Sequence, residues 1–423
     1  MMNILIKQAR IIDSQSPFNG KVMDILVENG IIKSIKSKIS TDKNIKVLEQ
    51  DNLHVSSGWM DMQANFCDPG FEHKEYLQSG INAAMAGGFT AVALVPSTNP
   101  PIHTKAQVQY IKHNTEDALV DVYPIGTISQ NQEGKELAEM FDMQQAGAVA
   151  FSDDKKSVAN AGLLMRALLY SKNFDALVLT HADDKSISTD GQMNEGITST
   201  KLGLKGIPAL AEELMVARNI FLAEYCDAPI HIMNVSTQKS VDLIKQAKAK
   251  KLKVTASVNA YSLVLDDALL MDFDSNYKVN PPLRTKNDIE ALRKALADGT
   301  IDCITTDHRP QDIESKDLEF DHASNGMIGL ESFFGLLNSN IGKLKLEDIV
   351  EAITSKPRKL LKLEKLSISE GIAANMTLFN PSTIWEFDKK SIHSKSANTP
   401  FIGTKFTGKV LGVINNNKLH LTK

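Results

Sequence analysis

Cysteine is scarce. Three residues in 423, Cys67, Cys226 and Cys303, are too few for a disulfide framework and show no Cys-x-x-Cys spacing, so a reducing cytoplasm is the expected home. An excess of one charge is missing too. Forty-seven Lys and Arg against 51 Asp and Glu leave a scattered formal charge of -4, which offers no footing to nucleic acid or a membrane surface. The lysine-rich stretch from Lys245 to Lys253 fits a solvated helix and turn. No apolar run is long enough to span a bilayer, and the opening MMNILIKQAR lacks the apolar stretch of a signal peptide. No Gly-x-Gly-x-x-Gly follows the first strands, which removes the usual support for dinucleotide binding. Internal repeats and low-complexity segments are absent.

The composition, 42% hydrophobic and 23% charged, suits one large α/β core with a smaller domain beside it. The first fifty residues carry short β-branched runs at Ile4–Lys7 and Asp24–Val27. Asn29-Gly30 between two apolar runs predicts a tight hairpin, because both residues tolerate positive φ. The carboxyl end has the same character: Met376–Phe379, Lys409–Ile414, a turn at Asn415-Asn416-Asn417, then Lys418–Leu421. Residues 1–52 and 368–423 are therefore expected to pair into one composite β-sandwich domain. Between them, over 53–367, strand and helix alternate. Strand runs include Thr90–Val95, Ala148–Phe151, Ala176–Thr180, Pro229–Met233, Lys253–Ser257 and Cys303–Thr306, and helical patterns include Ile207–Tyr225 and Thr285–Ala297. Repeated strand-then-helix order implies a parallel sheet. The length suits a closed (β/α)8 TIM-like barrel with its site at the carboxyl ends of the strands, and an open doubly wound sheet is the competitor.

Eight strings along the chain resemble, in order, those of the dihydroorotase family of cyclic amidohydrolases. They are Ala86-Gly-Gly-Phe-Thr90; Asn194-Glu-Gly196 with Leu202-Gly-Leu-Lys-Gly-Ile-Pro208; Lys278-Val-Asn-Pro-Pro-Leu-Arg284; Asp298-Gly-Thr-Ile-Asp302; Thr306-Asp-His308; Gly326 to Glu331; Gly371-Ile-Ala-Ala374; and Ser394-Lys-Ser-Ala-Asn-Thr-Pro-Phe401. The resemblance covers nearly the whole chain. It implies a TIM-like barrel flanked by a β-sandwich built from both termini, and zinc-dependent opening or closure of a cyclic amide in pyrimidine biosynthesis. The metal would lower the pKa of bound water from 15.7 to about 7. Making hydroxide without it would cost on the order of 12 kcal/mol.

The metal-ligand inventory therefore decides the chemistry. The family's His-x-His pair and substrate arginine fall in Asp61-Met-Gln63-Ala-Asn65-Phe-Cys67-Asp-Pro69-Gly70. Both histidine positions are amides, Gln63 and Asn65, and the arginine position is Cys67. No His-x-His occurs among the ten histidines. The carboxylate ligand corresponds to Asp153 in Phe151-Ser-Asp153-Asp154, followed by Lys155 where the family has glycine. An inward Lys155 would repel a divalent cation, but such a lysine is expected to snorkel outward. His181 keeps one ligand position, and Asn234 replaces another in His231-Ile-Met-Asn234-Val-Ser236. Asp307 stands at the catalytic aspartate, with Gln311 where a histidine trails it. Asp153, His181 and Asp307 thus survive of six positions, too few for two zinc ions, since each tight site takes at least three good protein ligands. In the pocket the resemblance assigns substrate contacts to Asn280, Ser97 and Cys67; Ser97 replaces an asparagine, and Asn259-Ala-Tyr261-Ser262 replaces a Thr-Pro-His-His string.

Each retained residue also has a structural reading. Asp307 would cap its turn and pair with His308 or an arginine. His181 would be a satisfied polar strand end, and Asp153-Asp154 a capping pair. Gln63, Asn65 and Asn234 would hydrogen-bond one another across the barrel mouth. Three functional expectations follow. The first is a dihydroorotase homologue without catalysis, serving a structural or regulatory role; the resemblance adds aspartate carbamoyltransferase and a second copy of the chain as partners, with no cofactor. The second is an active hydrolase with zinc and Asp307 as the catalytic group. The third is a module that holds a small acidic ligand without turning it over.

Overall fold

A computed structural model describes residues 2–40, 45–340, 342 and 344–422. The expected domains include Met1, residues 41–44, Ile341, Lys343 and Lys423, which lie outside the described residues. The strands are β1 Asn3–Ile11, β2 Val22–Glu28, β3 Ile31–Lys36, β4 Lys46–Glu49, β5 His54–Ser57, β6 Trp59–Ala64, β7 Phe89–Leu94, β8 Asp121–Gly126, β9 Ala150–Phe151, β10 Val178–His181, β11 Met193–Asn194, β12 Gly206–Ile207, β13 Ile230–Met233, β14 Val254–Asn259, β15 Cys303–Thr305, β16 Met376–Phe387, β17 Thr404–Asn415 and β18 Lys418–Leu421.

Strands from both ends of the chain hydrogen-bond in one sheet, in the order β18-β17-β16-β5-β1-β2-β3, with β4 pairing β1. The Asn29-Gly30 hairpin forms as its residue types dictate, with φ of 53° and 77° at the turn and Glu28 opposite Ile31. A second two-residue turn, Asn416-Asn417, joins β17 to β18 with Asn415 opposite Lys418. Ile4, Ile6, Ile25, Val27, Val55, Leu378 and Ile414 form this sheet's own core.

Eight parallel strands make the second sheet, ordered β15-β14-β13-β10-β9-β8-β7-β6. It is nearly closed: Ala64 bridges His308 just beyond β15, and Thr306 N donates to the Asp61 carboxylate. Met60, Met62, Ala91, Ala93, Ile125, Leu179, Met233 and Cys303 fill the interior, while the larger core lies between the strands and the surrounding helices. The helix Lys286–Ala297 starts where Thr285 and Asp288 form a capping box. The helix Ala209–Cys226 starts after Pro208, two residues later than its pattern predicts. β8 escapes the sequence pattern because its run, Asp-Val-Tyr-Pro-Ile-Gly, has a proline in the middle.

Trp59 joins the two sheets. Its ring lies 5.2 to 6.0 Å from those of Phe334, Phe379 and Phe89. Gly88 ends the helix Leu77–Gly87 in the left-handed region (φ 91°), where a Cβ would meet the Trp59 ring at 2.9 Å. That contact gives the Gly87-Gly88 string a packing reason.

Candidate functional site

The barrel mouth is assembled from residues at or just past the strand ends. Four of them, Cys67, Asp154, Asn234 and Asp307, are non-glycine residues with φ between 49° and 60°. Left-handed backbone of this kind collects at sites where side chains must be aimed, and the surrounding fold has to hold it there.

The centre is a closed hydrogen-bond network around Asp307. Gln63 Nε2 donates to Asp307 Oδ1 (2.9 Å) and to Asn234 Oδ1 (2.9 Å), and Asn234 Nδ2 returns a bond to Gln63 Oε1 (3.0 Å). Asn234 Nδ2 also donates to Asn259 Oδ1 (2.5 Å). On the other carboxylate oxygen, Oδ2, Tyr261 Oη donates at 2.7 Å, Lys155 Nζ at 3.0 Å and Asn259 Nδ2 at 3.3 Å. Arg309 Nε donates to Oδ1 at 2.9 Å. Asp307 therefore accepts from five donors, two of them cationic.

Lys155 corrects the outward expectation. Its ammonium turns inward because Asp307 offers a buried carboxylate, and its side chain is only 16% exposed. Burial, and then the neighbouring Arg309, lower its pKa to about 8, against the pull of Asp307. Arg309 is the second cation, absent from the sequence candidates. Its fork grips Asp154, with Nη1 to Oδ2 at 2.8 Å and Nη2 to Oδ1 closer still. Burial opposes the Arg309 charge, but Asp154 and Asp307 outweigh it and raise the pKa above its ordinary value. Burial likewise opposes the Asp154 charge, yet Arg309, Lys155 and Ser97 hold it down at about 2. Two carboxylates face two organic cations, and the charges cancel.

The expected carboxylate ligand is also corrected. Asp153 faces away from this centre, accepting from Ile128 N (2.9 Å), Ser129 N (3.0 Å) and Ser129 Oγ; burial raises its pKa. Asp154 takes the inward place. The remnant trio Asp153, His181 and Asp307 is thus not assembled. Among the described residues no group of three His, Cys, Asp or Glu is placed to hold a metal. His181 is buried with neither ring nitrogen hydrogen-bonded, contrary to the satisfied strand end expected of it. Burial, and then Lys155, push its pKa down to about 3. Asn65 does not join the amide set; it accepts from Cys67 N at 2.8 Å. His308 does not pair with Asp307. Its Nδ1 accepts from Gly329 N (3.2 Å), and its Nε2 lies 3.5 Å from Glu75.

Above the network lies a cavity of about 280 Å³ lined by Asn65, Cys67, Ser97, Asn280, Lys74 and Gln311, among others, with Lys155, Asp307 and Arg309 at its floor. The three candidate substrate residues, Asn280, Ser97 and Cys67, therefore share one space. Burial pushes the Cys67 thiol up to about 12, so it is not a thiolate ligand at neutral pH. Arg284 explains two more strings: its Nη1 donates to Asn194 Oδ1 (2.9 Å) and to the Ile207 carbonyl (3.0 Å), and its Nε to Ser236 Oγ (3.0 Å).

A family model described as "Dihydro-orotase-like" matches residues 54–240. The chain is 42% identical over 411 residues to a dihydroorotase of Trichlorobacter lovleyi, covering 96% of each. It is 43% identical over 411 residues to that of Acetivibrio thermocellus, again with 96% of each covered. The chain belongs to the dihydroorotase family. Its fold is shared more widely. The L-hydantoinase (dihydropyrimidinase) from Arthrobacter aurescens superposes with a TM-score of 0.85 at 22% identity, covering 99% of this chain and 96% of the other. The dihydropyrimidinase from Brevibacillus agri gives 0.81 at 21%, covering 99% and 95%.

Zinc is the metal this family implies, and the residues present do not fit it. Zinc takes imidazole, thiolate and free carboxylate. Here the inward groups are three amides, a phenol and two carboxylates already held by Lys155 and Arg309. Among the described residues at the mouth, His181, with both nitrogens unpartnered, is the single strong donor left.

Proposed function

We propose that this dihydroorotase-family chain does not carry out ring hydrolysis or closure and instead serves a structural or regulatory role. One observation carries the reading: Asp307, the residue a proton transfer would need, is saturated by five donors, with an ammonium and a guanidinium where zinc chemistry requires a divalent cation. A water nucleophile then lacks both activation, worth on the order of 12 kcal/mol, and a free base. The full-length identity to dihydroorotases supports a dihydroorotase-like function and is the strongest support for the competing, active reading. Assays of dihydroorotate hydrolysis and carbamoyl aspartate cyclisation at neutral pH, with zinc supplied, separate the two. No turnover is expected; turnover abolished by a chelator would reverse the conclusion.

The partner proposed for the structural role is aspartate carbamoyltransferase. A protein partner is supported by the helix Ala209–Cys226, which exposes Leu210, Leu214, Phe221 and Tyr225 in one stripe, the last two at 65% and 78%. Size-exclusion of the two proteins together tests it: one co-eluting peak is expected, and two independent peaks at micromolar concentration would count against it. A second reading, retention of a small acidic ligand, draws on the cavity with Lys74 and Asn280 at its wall. A thermal shift with dihydroorotate but no turnover would favour it.

A further inference from the structure

The face of the barrel opposite the mouth has a cleft of its own. Ser57 and the amino-terminal ends of β6 and β8 lie on this face, where the helix Ser355–Leu360 and the segment after it pack beneath the strands. Leu361 reaches the interior cluster with Met60 and Met62. A cleft of about 390 Å³ opens here. Its lining holds four cations, Lys356, Arg358, Lys359 and Lys365, against one carboxylate, Glu351. Glu351 is already engaged 3.8 Å from Lys356.

Arg358 distinguishes this cleft from an ordinary basic surface. The residue is 4% exposed, yet its Nε and Nη2 have no hydrogen-bond partner. Tyr123 lies beside it, and Asp121 and Glu364 are the acidic groups in its field, but among the described residues no carboxylate forms a salt bridge with it. A buried guanidinium keeps its charge and its donors, so leaving two of them unmade is costly. Planar forked donors of this kind match the paired oxygens of an oxyanion. Lys359 and Lys365 are exposed at the rim, where they would add charge without being needed for packing.

We infer that this cleft binds a phosphoryl group, with the Arg358 guanidinium as the buried anchor and Lys356, Lys359 and Lys365 as the surrounding cations. The site lies at the far end of the barrel from the Asp307 network and does not depend on whether that network is catalytic.

The test is calorimetric titration of the whole protein with inorganic pyrophosphate, with inorganic phosphate and a nucleoside monophosphate as parallel arms. The first two report a free anion and the third a phosphate ester; saturable binding in any arm supports the site. In the variant Lys359→Gln/Lys365→Gln, whose changes sit on the surface, affinity should fall by about fivefold or more and the salt dependence should flatten. Arg358→Gln should abolish binding, and if that variant does not fold, the lysine pair still decides. No saturable binding in any arm at millimolar concentration, or affinity unchanged in the lysine pair, overturns the assignment.

Discussion

Replacing Arg309 with methionine tests the charge-for-metal substitution at the mouth. The change removes three hydrogen bonds, two to Asp154 and one to Asp307, and leaves Asp154 buried with Lys155 as the cation that still acts on it. Two routes give the size. Holding Asp154 at about 2 rather than 3.8 is worth roughly 2–3 kcal/mol at ~1.4 kcal/mol per tenfold. Breaking one side of a buried ion pair costs about 3–5 kcal/mol in general. Both side chains are 12% exposed or less, so solvent screening takes little away. For a chain this long, a loss near 4 kcal/mol lowers Tm by about 5 °C. The pH signature has a fixed sign. Because the folded pKa of Asp154 is depressed, its contribution is complete above pH 3.8 and is lost as pH falls through about 2. Arg309→Met should remove that contribution from neutral pH. Arg309→Met/Asp154→Leu, which deletes both partners, should recover most of the loss, as apolar replacements of buried pairs do. Thermal and urea melts of the three proteins are the assay. A single variant within about 1 °C of the parent, or a double variant worse than the single, would refute the reasoning.

Three further outcomes are expected. His181, unpartnered and held neutral down to about 3, refuses a proton that the unfolded chain accepts below 6.5, so stability should fall as pH drops from 6.5 toward 3; His181→Leu should flatten that limb in Tm measured at several pH values, and an unchanged slope would contradict it. Restoring imidazole with Gln63→His/Asn65→His/Asn234→His should give only weak zinc binding by equilibrium dialysis while Lys155 and Arg309 remain, and adding Lys155→Gly/Arg309→Ala should tighten it by at least about tenfold. Arg284→Lys loses the fork that ties Asn194, Ile207 and Ser236, and should cost about 2–4 kcal/mol in urea melts.

The sequence disclosed most of the frame and the inventory of lost ligands, because both depend on residue type and order. The Asn-Gly hairpin, the strand-helix alternation and the amides at Gln63 and Asn234 are properties a linear string can carry. Side-chain direction is not. Asp153 and Asp154 are chemically identical neighbours, and which one faces the centre depends on the left-handed backbone at Asp154 and on Ser129 waiting for Asp153. Lys155 turns inward to meet the buried carboxylate of Asp307, over 150 residues away in the chain. Arg309 had a readable signal, a cation directly after Thr306-Asp307-His308 at a strand end. Its meaning required knowing that Asp154 lay opposite. Asn259 and Tyr261 were visible as replacements, but their bonds to Asp307 were not.

The most direct test of the central claim is a crystal structure of the protein grown with zinc, with anomalous data collected at the zinc edge. The account predicts no ordered zinc at the strand ends, with Lys155 and Arg309 in contact with Asp307. Two fully occupied zinc ions there, with Lys155 and Arg309 displaced from Asp307, would contradict it.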